Sequence, residues 1–183
     1  MRIIAGEWRG RKLVAPNGES TRPTADRTRE TLFSMLASRL GSFEELAVAD
    51  LFAGSGALGL EALSRGAAKC LFVEQESRAL DSIRENIASL KARDRATVHS
   101  GSVMSMGPAS RPLDLILLDP PYGTEAGQVA LDRLLRLGWI GEATWTALET
   151  ARDEDIAVKG LRIEAERRVG KAKLTLLRLA SPD

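Results

Sequence analysis

Asp50-Leu-Phe-Ala-Gly-Ser-Gly-Ala-Leu-Gly-Leu60 is the stretch whose reading decides the fold. Ahead of it, Leu46 to Phe52 is apolar except for Asp50, and beyond it Ala57 to Ser64 has helical composition. The glycines therefore fall on a strand-to-helix turn. Gly54 and Gly56 lack a β-carbon, which lets the backbone turn sharply and lets a ligand approach it, while Gly59 permits close packing of helix on strand. The unpaired N–H groups of the next helix face the same place. The spacing Gly54-x-Gly56-x-x-Gly59, with Glu74 twenty positions after Gly54, matches a nucleotide-cofactor fingerprint in which the carboxylate takes the ribose hydroxyls. On its own this spacing does not separate a nicotinamide dinucleotide from another adenosine-containing cofactor.

A second apolar run, Leu113-Asp-Leu-Ile-Leu-Leu118, ends in Asp119-Pro120-Pro121-Tyr122. That ending suits an exocyclic amine. Such an amine is a poor nucleophile because its lone pair is delocalised into the ring, and its two hydrogens need acceptors. The Asp119 carboxylate and the Pro120 carbonyl are two acceptors held in place, because Pro120 and Pro121 each lock φ. Tyr122 adds a flat face for a stacked base, worth about 1–3 kcal/mol. With the glycine turn, this tetrapeptide resembles the class I S-adenosylmethionine-dependent methyltransferases, specifically the amine-methylating ones whose loop reads Asp/Asn-Pro-Pro-Tyr/Phe.

At 183 residues and 19.8 kDa the chain fits one domain with a sizeable core, and 44% hydrophobic against 28% charged residues is an ordinary globular balance. The apolar runs are of strand length and the start of the chain lacks a signal-peptide core, so a cytoplasmic, non-membrane protein is expected. Cys70 is read as a packed strand residue and the lone His99 as a strand-edge residue, leaving no metal cluster. Net charge is only +1, but it is unevenly spread. Residues 1–29 carry seven basic and three acidic side chains, residues 161–183 carry six and three, and the middle is correspondingly acidic. Two basic ends around an acidic core offer a nucleic-acid face, or simply two solvated segments.

Arg2 to Val14 reads as two short β-type runs with turn candidates at Gly6 and Gly10. On this ribbon Arg9, Arg11 and Lys12 could grip phosphates, while Trp8 either stacks on a base or packs into the core. Pro16 to Pro23 is read as loop, with Thr24 capping a helix whose buried face carries Leu32, Phe33, Leu36, Ala37 and Leu40. The opposite face carries Arg22, Asp26, Arg27, Arg29 and Glu30, more structured than surface decoration requires. Further strands are expected at 69–74, 96–100, 113–118 and 145–149, helices at 77–90 and 128–137, and a terminal antiparallel pair at 161–168 and 174–180. Strands alternating with helices imply a parallel sheet covered on both faces, closed by right-handed crossovers. Asp50, the glycine loop, Glu74, Ser102 and Asp119 then converge beyond the carboxyl ends of the strands.

Taken in order, Arg-Ile-Ile-x-Gly-x-Trp-Arg-Gly-Arg-Lys-Leu, Arg-Pro-Thr-x-Asp-Arg-x-Arg-Glu-Thr-Leu-Phe, Phe-Ala-Gly-Ser-Gly-Ala-Leu-Gly-Leu-Glu-Ala and Asp-Pro-Pro-Tyr span roughly residues 2 to 180. They resemble the bacterial small-subunit ribosomal RNA guanine-N(2) methyltransferases of the RsmD type. The resemblance implies an α/β, Rossmann-like doubly wound sheet, mostly parallel with an antiparallel last strand. It also implies a single domain over 1–183 with residues 1–15 as a basic N-terminal β-hairpin. The cofactor would be S-adenosyl-L-methionine, held by Asp50, Ala53, Gly54, Gly56, Gly59 and Glu74, with Ser102 and Val103 at the adenine and Arg22 and Thr24 beside it. Asp119, Pro120 and Tyr122 would be catalytic, and Trp8, Arg9, Arg11, Lys12 and Pro121 would meet the substrate. The implied partner is 16S ribosomal RNA in the small ribosomal subunit, met by a monomer without a metal. A DNA base or a protein glutamine amide as the acceptor, and an NAD-dependent oxidoreductase, are the alternatives.

Overall fold

The computed structural model describes residues 1–16 and 23–182. Among these residues four α-helices and seven strands follow one another as α1 (Pro23–Leu40), β1 (Ala47–Leu51), α2 (Ala57–Ser64), β2 (Lys69–Glu74), α3 (Ser77–Ser89), β3 (Ala96–Ser100), β4 (Leu115–Leu118), α4 (Ala126–Arg136), β5 (Trp145–Ala151), β6 (Leu161–Val169) and β7 (Ala172–Leu179). All seven strands form one sheet in the order β3-β2-β1-β4-β5-β7-β6. The first five are parallel, and the last strand in sequence, β7, enters antiparallel between β5 and β6. The doubly wound, mostly parallel sheet with an antiparallel last strand is as expected. Edge strand β6 is kinked by a register shift between Ile163 and Ala165. Among the described residues no helix is long and apolar enough to cross a membrane.

Each face of the sheet owns a core, because strand residues point alternately to the two sides. Val48, Phe72, Cys70, Leu115 and Leu117 pack with Leu32, Phe33 and Leu36 of α1, Leu60 and Leu63 of α2, and Ile83 and Ile87 of α3. Leu51, Val73, Ile116 and Leu118 pack on the other face with Ala130, Leu131 and Leu134 of α4. Burial of such side chains stabilises the fold by about 1.5–3 kcal/mol each. His99 lies on β3, at the opposite edge of the sheet from β6, and Cys70 is buried. Helix α1 starts at Pro23 itself, so Thr24 is its second residue rather than its cap. Proline suits that first position because the missing N–H would have had no partner there.

The N-terminal ribbon is shorter than two strands. Arg2 and Lys12 form its single β-bridge, supported by Ile3 N–H to Arg11 O, Gly10 N–H to Ile3 O and Leu13 N–H to Met1 O, each at 2.9 Å. Between these arms the backbone makes two turn bonds, Arg9 N–H to Gly6 O and Arg11 N–H to Trp8 O, and otherwise docks onto α2. Ile4 and Ala5 donate to the Glu61 carboxylate at 2.9 and 3.0 Å, and Glu7 donates to Ser64 O at 2.8 Å. The ribbon is thus docked along its length, and Trp8 is 7% exposed with the Arg95 guanidinium 5.3 Å from its ring centre. A buried ring has no face to offer a nucleobase, which corrects the stacking role considered for Trp8.

Gly59 shows how closely α2 lies on the sheet. A β-carbon there would stand 2.5 Å from Phe72 Cε1 and 2.6 Å from Cys70 Sγ. Gly59→Ala is therefore expected to lower the unfolding free energy by about 1–3 kcal/mol, the range for overpacking a filled core. Urea titration checks this, with Gly107→Ala, where nothing lies within 4 Å of the added carbon, as the unperturbed comparison.

Candidate active site

The carboxyl ends of β1, β2, β4 and β5 open into a cavity of about 750 Å³. Seven of the residues expected at the site line it: Asp50, Ala53, Gly54, Glu74, Asp119, Pro120 and Pro121. The β1 turn is built as its glycines require, with φ of 57° at Gly54 and 82° at Gly56. Phe52, also on the wall, holds φ 57° without being glycine, a conformation maintained only where the surroundings enforce it. Gly56 and Gly59 shape the turn from behind rather than lining the cavity.

Two carboxylates brace this turn. Glu74 Oε1 accepts the Gly54 N–H at 2.8 Å, while its Oε2 accepts the N–H groups of Gln75 and Glu76 at 2.8 and 3.0 Å. Three of its four lone-pair sites are thus taken, which leaves one on Oε1 for a ligand hydroxyl. Asp50 is 1% exposed; its Oδ2 accepts the Gly59 N–H at 2.9 Å, and its Oδ1 is buried without a hydrogen-bond partner. Burial pushes the Asp50 carboxyl up to about 8, against the pull of the Gly59 N–H and with a smaller push from the charge of Glu74.

The Asp119-Pro-Pro-Tyr loop leaves β4 beside that turn. β1 and β4 are neighbours, and Asp119 N–H reaches Leu51 O at 3.4 Å. The loop is tied on its outer side: Thr124 Oγ1 donates to Pro121 O at 2.8 Å, and the Gly123 N–H donates to a Glu154 carboxylate oxygen. Tyr122 is 47% exposed and donates its hydroxyl to Glu149 Oε1 at 2.8 Å. Partial burial and the adjacent Glu149 charge hold its phenol above the ordinary range, so it remains a donor. Tyr122 itself is not on the cavity wall; Glu149, near the end of β5, is.

Other expected positions fall elsewhere. Ser102 and Val103 do not line the cavity: Ser102 Oγ accepts the Met104 N–H at 3.1 Å and caps a short turn, and Val103 is buried in the second core. Arg22 and the Thr24 side chain lie outside the described residues. Arg9, Arg11 and Lys12 are exposed, and Arg11 also donates to Ser89 O at 2.9 Å. The ribbon tip meets the far end of α2, about 12 Å from the glycine turn at 1.5 Å per residue, whereas Met1 at its base lines the cavity. Met1, Phe52, Asp26, Arg29, Glu149 and Leu174 are wall residues that the sequence did not single out as site residues. The structured face of α1 was a signal for Asp26 and Arg29; Glu149 had only its place at the end of a parallel strand.

A carboxyl whose folded pKa is raised keeps its proton longer in the folded chain, so folding takes up a proton between the unfolded value near 3.8 and about 8. Its contribution to stability is full below that window and is lost as pH rises through it. The stability of the unliganded protein relative to Asp50→Asn is expected to fall from pH 4 to pH 8, and denaturant titrations of both proteins across that range measure it.

The chain as a whole is similar to known proteins. The family described as Conserved hypothetical protein 95 matches residues 1–178. The Escherichia coli (strain K12) protein named Ribosomal RNA small subunit methyltransferase D is 38% identical over 150 residues, 82% of this chain and 74% of that one. Its namesake from Haemophilus influenzae is 38% identical over 160 residues, 85% of this chain and 81% of that one. Among solved structures, the Escherichia coli protein yhhF superposes with a TM-score of 0.84 at 32% identity, covering 100% of this chain and 99% of that one. The chain belongs to the Conserved hypothetical protein 95 family, that of the ribosomal RNA small subunit methyltransferases D.

Proposed function

We propose that this protein is an S-adenosylmethionine-dependent methyltransferase that acts on the exocyclic N2 amine of a guanine in 16S ribosomal RNA of the small ribosomal subunit. The observation that carries this reading is that the glycine turn after β1 and the Asp119-Pro-Pro loop after β4 line one cavity. The names of the relatives supply the class of RNA. A volume of about 750 Å³ lies in the upper part of the range for ligand sites, roughly 300–1,000 Å³, which leaves room for a base beside a nucleoside cofactor.

The residues fit that cofactor. Asp50 Oδ1, buried and without a partner, suits the ammonium group of the methionyl portion, and a cation placed there would restore the ionised carboxylate against the desolvation that now opposes it. Glu74 offers its remaining Oε1 lone pair to a ribose hydroxyl, and the Ala53–Gly54 backbone lies against the chain between the two ends of the cofactor. When bound, S-adenosylmethionine supplies an electrophilic methyl group on a sulfonium. Asp119 and the Pro120 carbonyl accept the two N–H groups of the amine and so aim its lone pair at that methyl. Such orientation is worth roughly 7–11 kcal/mol of barrier, more than proton transfer alone supplies. Tyr122, anchored by its hydroxyl outside the cavity wall, offers its half-exposed ring to the base at the cavity's rim, and the exposed Arg9, Arg11 and Lys12 contact RNA phosphates farther out.

Transfer of tritium from labelled S-adenosylmethionine to undermethylated small subunits tests the proposal. Label is expected in 16S RNA as N2-methylguanine, and Asp119→Ala is expected to lower the rate by about 100-fold or more while calorimetry still detects cofactor binding. Label appearing only in DNA or in a protein amide would move the assignment to those acceptors. Binding of NAD in place of S-adenosylmethionine would overturn it.

A further inference from the structure

The acid that lies beside Asp119 has no part in the chemistry described so far. β4 and β5 run parallel with Leu118 opposite Leu148, so Asp119, just past the end of β4, stands beside Glu149, which is still within β5 and paired with Leu174 of β7, on strands about 4.8 Å apart. Both line the cavity. Glu149 is half-buried, and its Oε1 is occupied by the Tyr122 hydroxyl at 2.8 Å. No donor among the described residues reaches Oε2. A carboxylate fixed by one oxygen and open at the other is an acceptor aimed at a ligand, set next to the acceptor that takes the amine.

We propose that Glu149 selects the base by accepting the ring N1–H of guanine, with Tyr122 holding the carboxylate in position. This rests on the reading of the site as one for a guanine N2 amine. Guanine presents two kinds of donor next to one another on its pairing edge, the N1–H and the N2 amine. Adenine and cytosine also carry an exocyclic amine, but the neighbouring ring nitrogen in each is an acceptor. A second carboxylate at that position therefore bonds guanine and opposes a lone pair on the other two. A site built around a hydrogen bond rejects a ligand lacking it more strongly than a shape-based pocket does, because the buried group is left unpaired. The two acids and the Pro120 carbonyl together meet three hydrogens on one edge, whereas Asp119 with that carbonyl meets only the two of the amine.

Glu149→Gln turns this arrangement into a test. Tyr122 donates to the amide oxygen, which turns the NH2 group toward the base and replaces an acceptor by a donor. Small subunits are reconstituted with either guanine or 2-aminopurine at the target position. 2-Aminopurine keeps the N2 amine but has an acceptor at N1. The unchanged protein is expected to prefer guanine by about 100-fold or more. In Glu149→Gln, transfer to guanine is expected to fall by about 100-fold, and the preference for guanine over 2-aminopurine to shrink at least about tenfold. Because the preference is a ratio within one preparation, incomplete folding of the variant cancels. An unchanged preference in Glu149→Gln, whether or not its rate falls, overturns the proposal and leaves the methyltransferase reading standing. Failure of the unchanged protein to label guanine-containing subunits overturns both.

Discussion

A single fully buried carboxylate connects the parts of this molecule that the sheet alone would not hold together. Glu61, 0% exposed on α2, accepts the backbone N–H groups of Ile4 and Ala5 and the Arg65 Nε–H, the last at 3.0 Å. Arg29 of α1 stands 3.5 Å away through its Nε, a charge contact without hydrogen-bond geometry, and donates through another nitrogen to Arg2 O and to Asp26 at 3.2 Å. Removing a charge from water is expensive, and such a group persists only where its partners are many and well placed. Here they are drawn from the ribbon, α1 and α2, so the carboxylate fixes three segments at once. Asp26 and Arg29 are also cavity wall, which couples this buried network to the shape of the site.

Much of this was legible in the sequence, and the exceptions have a common cause. The glycine turn, the parallel strands and the proline-terminated β4 are local patterns, each determined by backbone sterics or by the alternation of apolar residues. Glu61 sits in Gly-Leu-Glu-Ala-Leu-Ser, where an acid on a short helix reads as solvent-facing. Its burial depends on residues fifty or more positions away that have spare N–H groups. Trp8 was ambiguous for the same reason, since only its docking against α2 and Arg95 decides between ring burial and ring display. Ser102 had the right place at the end of β3, but its hydroxyl serves the turn that follows. Glu149 became visible only through the β4–β5 register and the reach of Tyr122.

The cavity is electrostatically unlike the surface around it. Asp50, Glu74, Asp119 and Glu149 face it from four strand ends, with Asp26 and Arg29 as an internally paired couple. An interior with acceptors already in place suits a sulfonium donor and a base edge rich in N–H groups, because neither requires the site to reorganise as charge develops. The basic ends of the chain supply the opposite sign outside, where phosphates would be met. The small net charge thus conceals two fields of opposite sign. Asp50 is the extreme member, held near neutrality by burial until a cation arrives.

The kink in β6 bears on how the molecule behaves in company. An outermost strand leaves a row of backbone donors and acceptors open to any passing chain, and a straight apolar one invites stacking into aggregates. β6 alternates poorly, carries Arg162, Glu164, Glu166, Arg167 and Arg168, and breaks its ladder between Ile163 and Ala165. Charged side chains along this outer strand, together with an interrupted repeat, discourage a second copy from extending the sheet there. That edge of the sheet is therefore poorly suited to strand addition.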